Sequence, residues 1–341
     1  MSIPLQIVPL DPFDDAALAA WHATYFLSTT HQREFSTPWM LEETRAELRS
    51  DNPGNKQLAW SGLVDGAVVT TGAMSLPSRD NLKQVWTEVH THPDHRRQGH
   101  GSAMLDHLVD EAGGRGRSII ATEASYPYDG PADGAGQPNV EFLLRRGFTF
   151  GLGDVQRVLD LPVDASLLED LASQAATHHG DYEIRQFRGP VPDDIIDSFG
   201  DLIGSLVTEA PMGEMELERE VFDAERIRAD EKTLTESGRT KYTTVATTGD
   251  GTLAAFTDVV VAEHDPGRVY QWGTLARPEH RGHRLGVAVK ARNLSWLQQE
   301  RPDLKLLTTY NAEVNAHMIG VNDLMGFRPV ERLGEFQRKL G

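Results

Sequence analysis

The segment Arg96-Arg97-Gln98-Gly99-His100-Gly101-Ser102 holds the residue types most suited to chemistry in this sequence. It falls between a strand-like run, Gln84 to Thr91, and a helical pattern in which Leu105, Leu108, Val109 and Ala112 recur. Glycine lets the backbone approach a ligand closely and take left-handed φ values. A helix start adds unpaired N–H groups and the positive end of the helix dipole. Together these form a cradle for a pyrophosphate, although a tight strand-to-helix turn uses glycines too. A dinucleotide fingerprint does not fit, because hairpins rather than parallel strands precede the loop. A phosphate loop of the Gly-Lys-Ser/Thr type is absent. His90 and His92 alternate and so point to one face, but no third ligand stands at metal spacing, and no metal is expected.

The elements around this loop occur twice. His92-Pro93-Asp94-His95-Arg96 has a counterpart in Arg277-Pro278-Glu279-His280-Arg281, an offset of 185 residues from His95 to His280. Each is preceded by a strand-like run and followed by a helix, a strand, a second helix ending in Gly-Phe (Gly147-Phe148, Gly326-Phe327) and a last strand. A repeat of this length is a duplicated domain rather than a solenoid unit. Each copy opens with a strand and two helices, expected over 16–27 and 38–50 in the first and over 192–206 and 216–237 in the second. Strands then flank the turns Asp65-Gly66 and Asp250-Gly251, which suit tight hairpins. The expected fold class is α/β: two tandem domains, each a mixed, mostly antiparallel sheet flanked by helices. The expected domains are residues 1–160 and 182–341, with 161–181 as linker.

With 341 residues, a net charge of −18 and no cysteine, the chain excludes several classes of function. Disulfides, thiolate nucleophiles and cysteine-based zinc sites are ruled out. An acidic chain without a basic stretch repels nucleic acid; the charge suits a cationic partner such as an amine, although many proteins of this class are acidic with no such partner. No apolar run approaches the ~18–20 residues of a membrane span, so no membrane partner is expected. Met-Ser-Ile-Pro-Leu does not read as a signal peptide, and a cytoplasmic location is the expectation.

The loop and its setting resemble the GNAT superfamily of acyl-CoA-dependent N-acyltransferases. The diagnostic Arg/Gln-x-x-Gly-x-Gly/Ala is matched by Arg96, Gly99 and Gly101. The resemblance extends over nearly the whole chain as two units, similar in plan to actinobacterial tandem GNATs. It implies acetyl-CoA or another acyl-CoA as donor, a small-molecule amine as acceptor, and a monomer or homodimer. It implies that the backbone of Val89, His90 and Thr91 pairs with pantetheine, and that amides from Arg96 to Ser102 hold the pyrophosphate. In the second copy Arg281, Gly282, His283, Arg284, Leu285 and Gly286 occupy the same place, but Arg284 replaces the first glycine. A side chain there either crowds the pyrophosphate or contacts it as a cation.

The family often has Asn followed seven residues later by Tyr in its last helix. Asn315 fits the first position, while Asn322, and Leu143 in the first copy, stand where Tyr would be. Neither copy therefore carries the usual general acid. The catalytic candidates implied are Glu88 and Glu123, on the two strands that splay apart in this fold, with Tyr126 or Tyr128 able to supply a proton if its loop closes. The stretch Glu209–Glu214 corresponds to a region that shapes the acceptor pocket. The competing expectation, from Leu143, Asn322 and Arg284, is a catalytically impaired CoA-binding or scaffold protein.

Overall fold

The computed structural model describes residues 4–340. Its first half runs β1 (Gln6–Pro9), α1 (Asp15–Thr30), α2 (Leu41–Arg49), β2 (Asn55–Val64), β3 (Ala67–Pro77), β4 (Gln84–Thr91), α3 (His100–Gly114), β5 (Ile119–Pro127), α4 (Pro138–Leu144) and β6 (Thr149–Asp160). After α5 (Ala165–Ala176) the order repeats as β7 (Tyr182–Arg188), α6 (Ile196–Gly204), α7 (Leu206–Glu209), α8 (Ala224–Glu236), β8 (Arg239–Thr248), β9 (Leu253–Ala262), β10 (Arg268–Ala276), α9 (Leu285–Glu300), β11 (Leu306–Ala312), α10 (Ala316–Met325) and β12 (Arg328–Lys339). Local chemistry sets the boundaries. Asp14 caps α1 by accepting from the N–H groups of Ala16 and Ala17. Asp65 and Gly66, at φ 50° and 78°, make the tight β2–β3 turn.

All the strands join in one sheet of order β1-β2-β3-β4-β5-β12-β6-β11-β10-β9-β8-β7. The two copies exchange their last strands. β12 lies antiparallel between β5 and β6, and β6 in turn pairs with β11. The expected halves, 1–160 and 182–341, are therefore interleaved at the centre: the sheet neighbours of β6 both come from the second half, and those of β12 both from the first.

The helices sort onto the two faces by the period of two along each strand. On β3, Ala73 packs under α1 and Met74 packs under α3. On β9, Phe256 meets α6 and α8, whereas Ala255 meets α9. The connections after the first helices cross over to the opposite half. Ahead of α2, Thr37 Oγ1 meets Tyr310 OH (2.9 Å) and Arg33 clamps Glu331 (2.8 Å), both of the second half, while Gln156 on the first half's exchanged strand β6 donates to Phe35 O (2.7 Å). Ahead of α8, Glu214 N donates to Gly151 O (2.8 Å) and Glu218 N to Asn81 Oδ1 (2.8 Å). The helix expected over 216–237 consequently starts only at Ala224, because the residues before it are extended and docked on the first half.

Candidate active site

β4 and β5 run parallel and are paired only from Gln84–Ile119 to Trp86–Ala121. Beyond that they separate. Two threonines close the apex: Thr87 Oγ1 donates to Ala121 O (3.1 Å) and Thr122 Oγ1 to Thr87 O (2.8 Å). Past the apex, the edge of β4 from Glu88 through Val89, His90 and Thr91 has no β5 partner. At the open end stands the glycine loop. Arg97 and Gly99 are left-handed at φ 64° and 90°, and Gly99 caps α3. Among the described residues, nothing accepts from the backbone N–H groups of Arg97, Gln98, Gly99, His100, Gly101 or Ser102. Arg96 braces the loop, donating to Thr91 O (3.2 Å) and Ser28 O (3.2 Å).

The second copy retraces this path with the residue types reversed. Gly282 and Arg284 take the two left-handed positions, at φ 88° and 54°. Replacing the first motif glycine has therefore not changed the backbone conformation, although a non-glycine residue there costs ~1–2 kcal/mol. Arg281 pairs with Glu209 (2.7 Å), and Leu285 is buried against Val289 under β8 and β9. His283 faces Tyr182, while Gly286 has open space where a Cβ would stand. Asn315 caps α10, accepting from Met318 N (3.1 Å). Asn322 is buried and accepts from Lys290 Nζ (2.7 Å), whose pKa burial lowers to about 7.

Strand register brings together carboxylates that are scattered in the sequence. Glu335 on β12 lies directly opposite Glu123 on β5. Asp154 on β6 pairs with Leu333, two residues from Glu335 on the same face. Glu88 lies on that face as well, beside Glu123 across the splay. The environments differ. Burial raises Glu88, but its 3.1 Å bond to His90 Nε2 and the charge of His90 outweigh it and hold Glu88 below its ordinary value. Glu123 has no such partner. The residue keeps contact with solvent, yet desolvation by the surrounding protein, followed by the charges of Glu335, Glu88 and Asp154, raises it to about 8. Burial likewise raises Glu335 to about 7 and Asp154 to about 6. Glu123, with its proton held near neutral pH, is thus better suited to proton transfer than Glu88.

Tyr126 does not join them. One strand position away from Ser125, it points to the opposite face, is only 3% exposed, and donates to Ala132 O (2.7 Å). It pins the 128–137 loop instead of facing the cleft. At the ends of the stretch Glu209–Glu214, Glu209 pairs with Arg281 (2.7 Å) and Glu214 N donates to Gly151 O on β6 (2.8 Å). The phenol that does reach the cleft face is Tyr310, which on β11 occupies the place of Glu123 on β5. Burial raises it to about 12. Glu335 and Asp154 were missed because only the strand exchange sets them beside Glu123.

Residues 19–131 match the acetyltransferase (GNAT) family model. A tandem GNAT protein from the clavulanic acid biosynthesis pathway superposes with a TM-score of 0.79 at 24% identity, covering 99% of both chains. The chain has the tandem GNAT fold. A GCN5-related N-acetyltransferase from Sphaerobacter thermophilus aligns at 11% identity and a TM-score of 0.64, over 99% of this chain and 97% of that one. The GCN5-related glucosamine N-acetyltransferase region of a fungal multi-domain GH3 beta-N-acetylglucosaminidase aligns at 12% and 0.63, over 98% of this chain and 38% of that one. No curated protein matches. The matched segment of the first GNAT unit holds the glycine loop, Glu88 and Glu123. No described helix is long and apolar enough to cross a membrane.

Proposed function

We propose that the first GNAT unit transfers an acyl group, acetyl in the first instance, from acyl-CoA to a primary amine of a small molecule. The observation that carries this reading is geometric: Glu123, a carboxyl with no cationic partner among the described residues, stands at the open side of the β4–β5 splay beside a glycine loop whose N–H groups are unspent. The loop fits a pyrophosphate. Its N–H groups from Arg97 to Ser102 are unspent, and a Cβ at Gly99 would meet no protein atom within 4 Å. Acyl-CoA held there supplies the thioester that carries the acyl group.

The remaining roles belong to the chain. An amine with a pKa near ~10.4 is mostly protonated at neutral pH, so Glu123 takes its proton and frees the lone pair. The open edge of β4 at Val89 to Thr91 offers backbone N–H groups to a developing oxyanion. The second unit has Tyr310 where Glu123 stands, and Arg284 in its loop, which favours a supporting role for it.

Calorimetry with acetyl-CoA on wild type and Gly99→Glu tests the donor site, since a long side chain at Gly99 extends into the space the ligand needs. Loss of binding in the variant is expected, and equal affinity would refute the site. CoA release over an amine library, repeated with Glu123→Gln, tests the chemistry. Acetyl-CoA binding without turnover of any amine would favour the impaired, CoA-binding reading.

A further inference from the structure

One amine needs one base, yet the cleft presents three unpaired carboxylates. Glu123, Glu335 and Asp154 project from one face of the adjacent strands β5, β12 and β6. Nearby carboxylates have cationic partners: Glu331 pairs with Arg33, Glu313 with Arg332, and Glu88 with His90. Among the described residues, no Lys, Arg or His pairs with these three, and every influence on their ionisation acts in the same direction, upward. Like charges directly opposite one another destabilise a sheet, so fold stability does not account for the set. Nor does a metal ion: among the described residues, no three His, Cys, Asp or Glu are grouped closely enough to hold one. Neighbouring strands lie ~4.8 Å apart, which spreads the carboxylates over about 5–10 Å, the reach of an extended organic cation. Gln156, next along this face of β6, adds a neutral acceptor. It is 1% exposed; its Nε2 donates to Phe35 O, while its Oε1 has no partner.

We propose that the acceptor carries a second cationic group, which Glu335 and Asp154 hold while the reactive amine meets Glu123. The inference rests on the acyl-transfer reading for the position of the reactive amine. It also gives the second GNAT unit a part in substrate selection, because Glu335 arrives on the exchanged strand β12.

Putrescine and n-butylamine share a carbon chain and differ by one ammonium group. Wild-type protein with acetyl-CoA is expected to favour putrescine by about tenfold or more in kcat/KM. Glu335→Gln combined with Asp154→Asn is expected to bring that ratio close to one through KM. The ratio is read within each variant, so any effect of the substitutions on Glu123 itself cancels. Equal use of both amines by wild type, or a preference that survives both substitutions, overturns the inference. Calorimetry of the two amines on the protein without acetyl-CoA separates this result from the fate of the acyl-transfer reading. Tighter putrescine binding that the double variant loses supports the subsite even if no amine turns over, and equal binding refutes it.

Discussion

Burial, followed by the charges of Glu335, Glu88 and Asp154, pushes the Glu123 carboxyl up to about 8, and no cation offsets them. As a base it works only when deprotonated, so kcat/KM should climb with pH up to about 8. Glu123→Gln should lose ~10²–10⁴-fold in kcat, read from initial rates of CoA release. Glu335→Gln removes one of the charges that raise Glu123 and should move the rising limb to lower pH. The same cluster links stability to pH. The folded carboxyls hold protons that the unfolded chain, with glutamates near 4.5, gives up. Their contribution is therefore fully present below about pH 4.5 and is lost as pH rises through 6 to 8. Glu335→Gln should raise stability by about 1 kcal/mol at pH 8 and change it little at pH 4, measured by thermal melts at both values. Of these residues, the sequence offered Glu88 and Glu123 through the family resemblance, and the strand register sets them on one face. Tyr126 was read as part of a loop able to close, but β5 continues through it to Pro127 and fixes its side chain on the face opposite Glu123.

The glycine loop, the hairpins and the order of strands and helices were legible because each has a local signature: Gly at left-handed positions, Asp-Gly turns and helical spacing. The segment before α8 was not. Residues 216–223 read as helix but lie extended, because Glu218 N and Val221 N donate to Asn81 and Asp80 of the other half, bonds that no local pattern announces. That docking centres on Arg226, whose guanidinium meets Asp80 (3.0 Å), Glu220 (3.1 Å) and the carbonyl of Val221 (2.9 Å) with little exposure. Arg226→Ala would leave Asp80 buried without its cationic partner. The expected cost is ~3–5 kcal/mol in urea unfolding. Arg226→Leu combined with Asp80→Asn, which removes the buried charge along with its partner, should recover part of that loss.

The duplication predicts two bodies that could be separated at the linker, whereas the sheet predicts that they cannot. A fragment of residues 1–162 would keep β6 but lose β11 and β12, its sheet neighbours, and would leave the inner edge of β5 bare. It would also lose Phe336, which lies fully buried with Met104, Ile120 and Phe148 in the first unit's core. The complementary fragment, 163–341, would keep β12 without either of its neighbours and would lack Leu159 and Leu161 from the core beneath α9. An uncovered central edge is a template for pairing with another chain. Each fragment expressed alone is therefore expected to aggregate or to lack fixed side-chain packing, seen as lost near-ultraviolet circular dichroism and dye binding. Coexpressed, the two should form a one-to-one complex with the circular dichroism of the intact chain. Cooperative unfolding of either fragment alone, at a stability near that of the whole protein, would mean that the exchanged strands are dispensable and that the two units are independent after all.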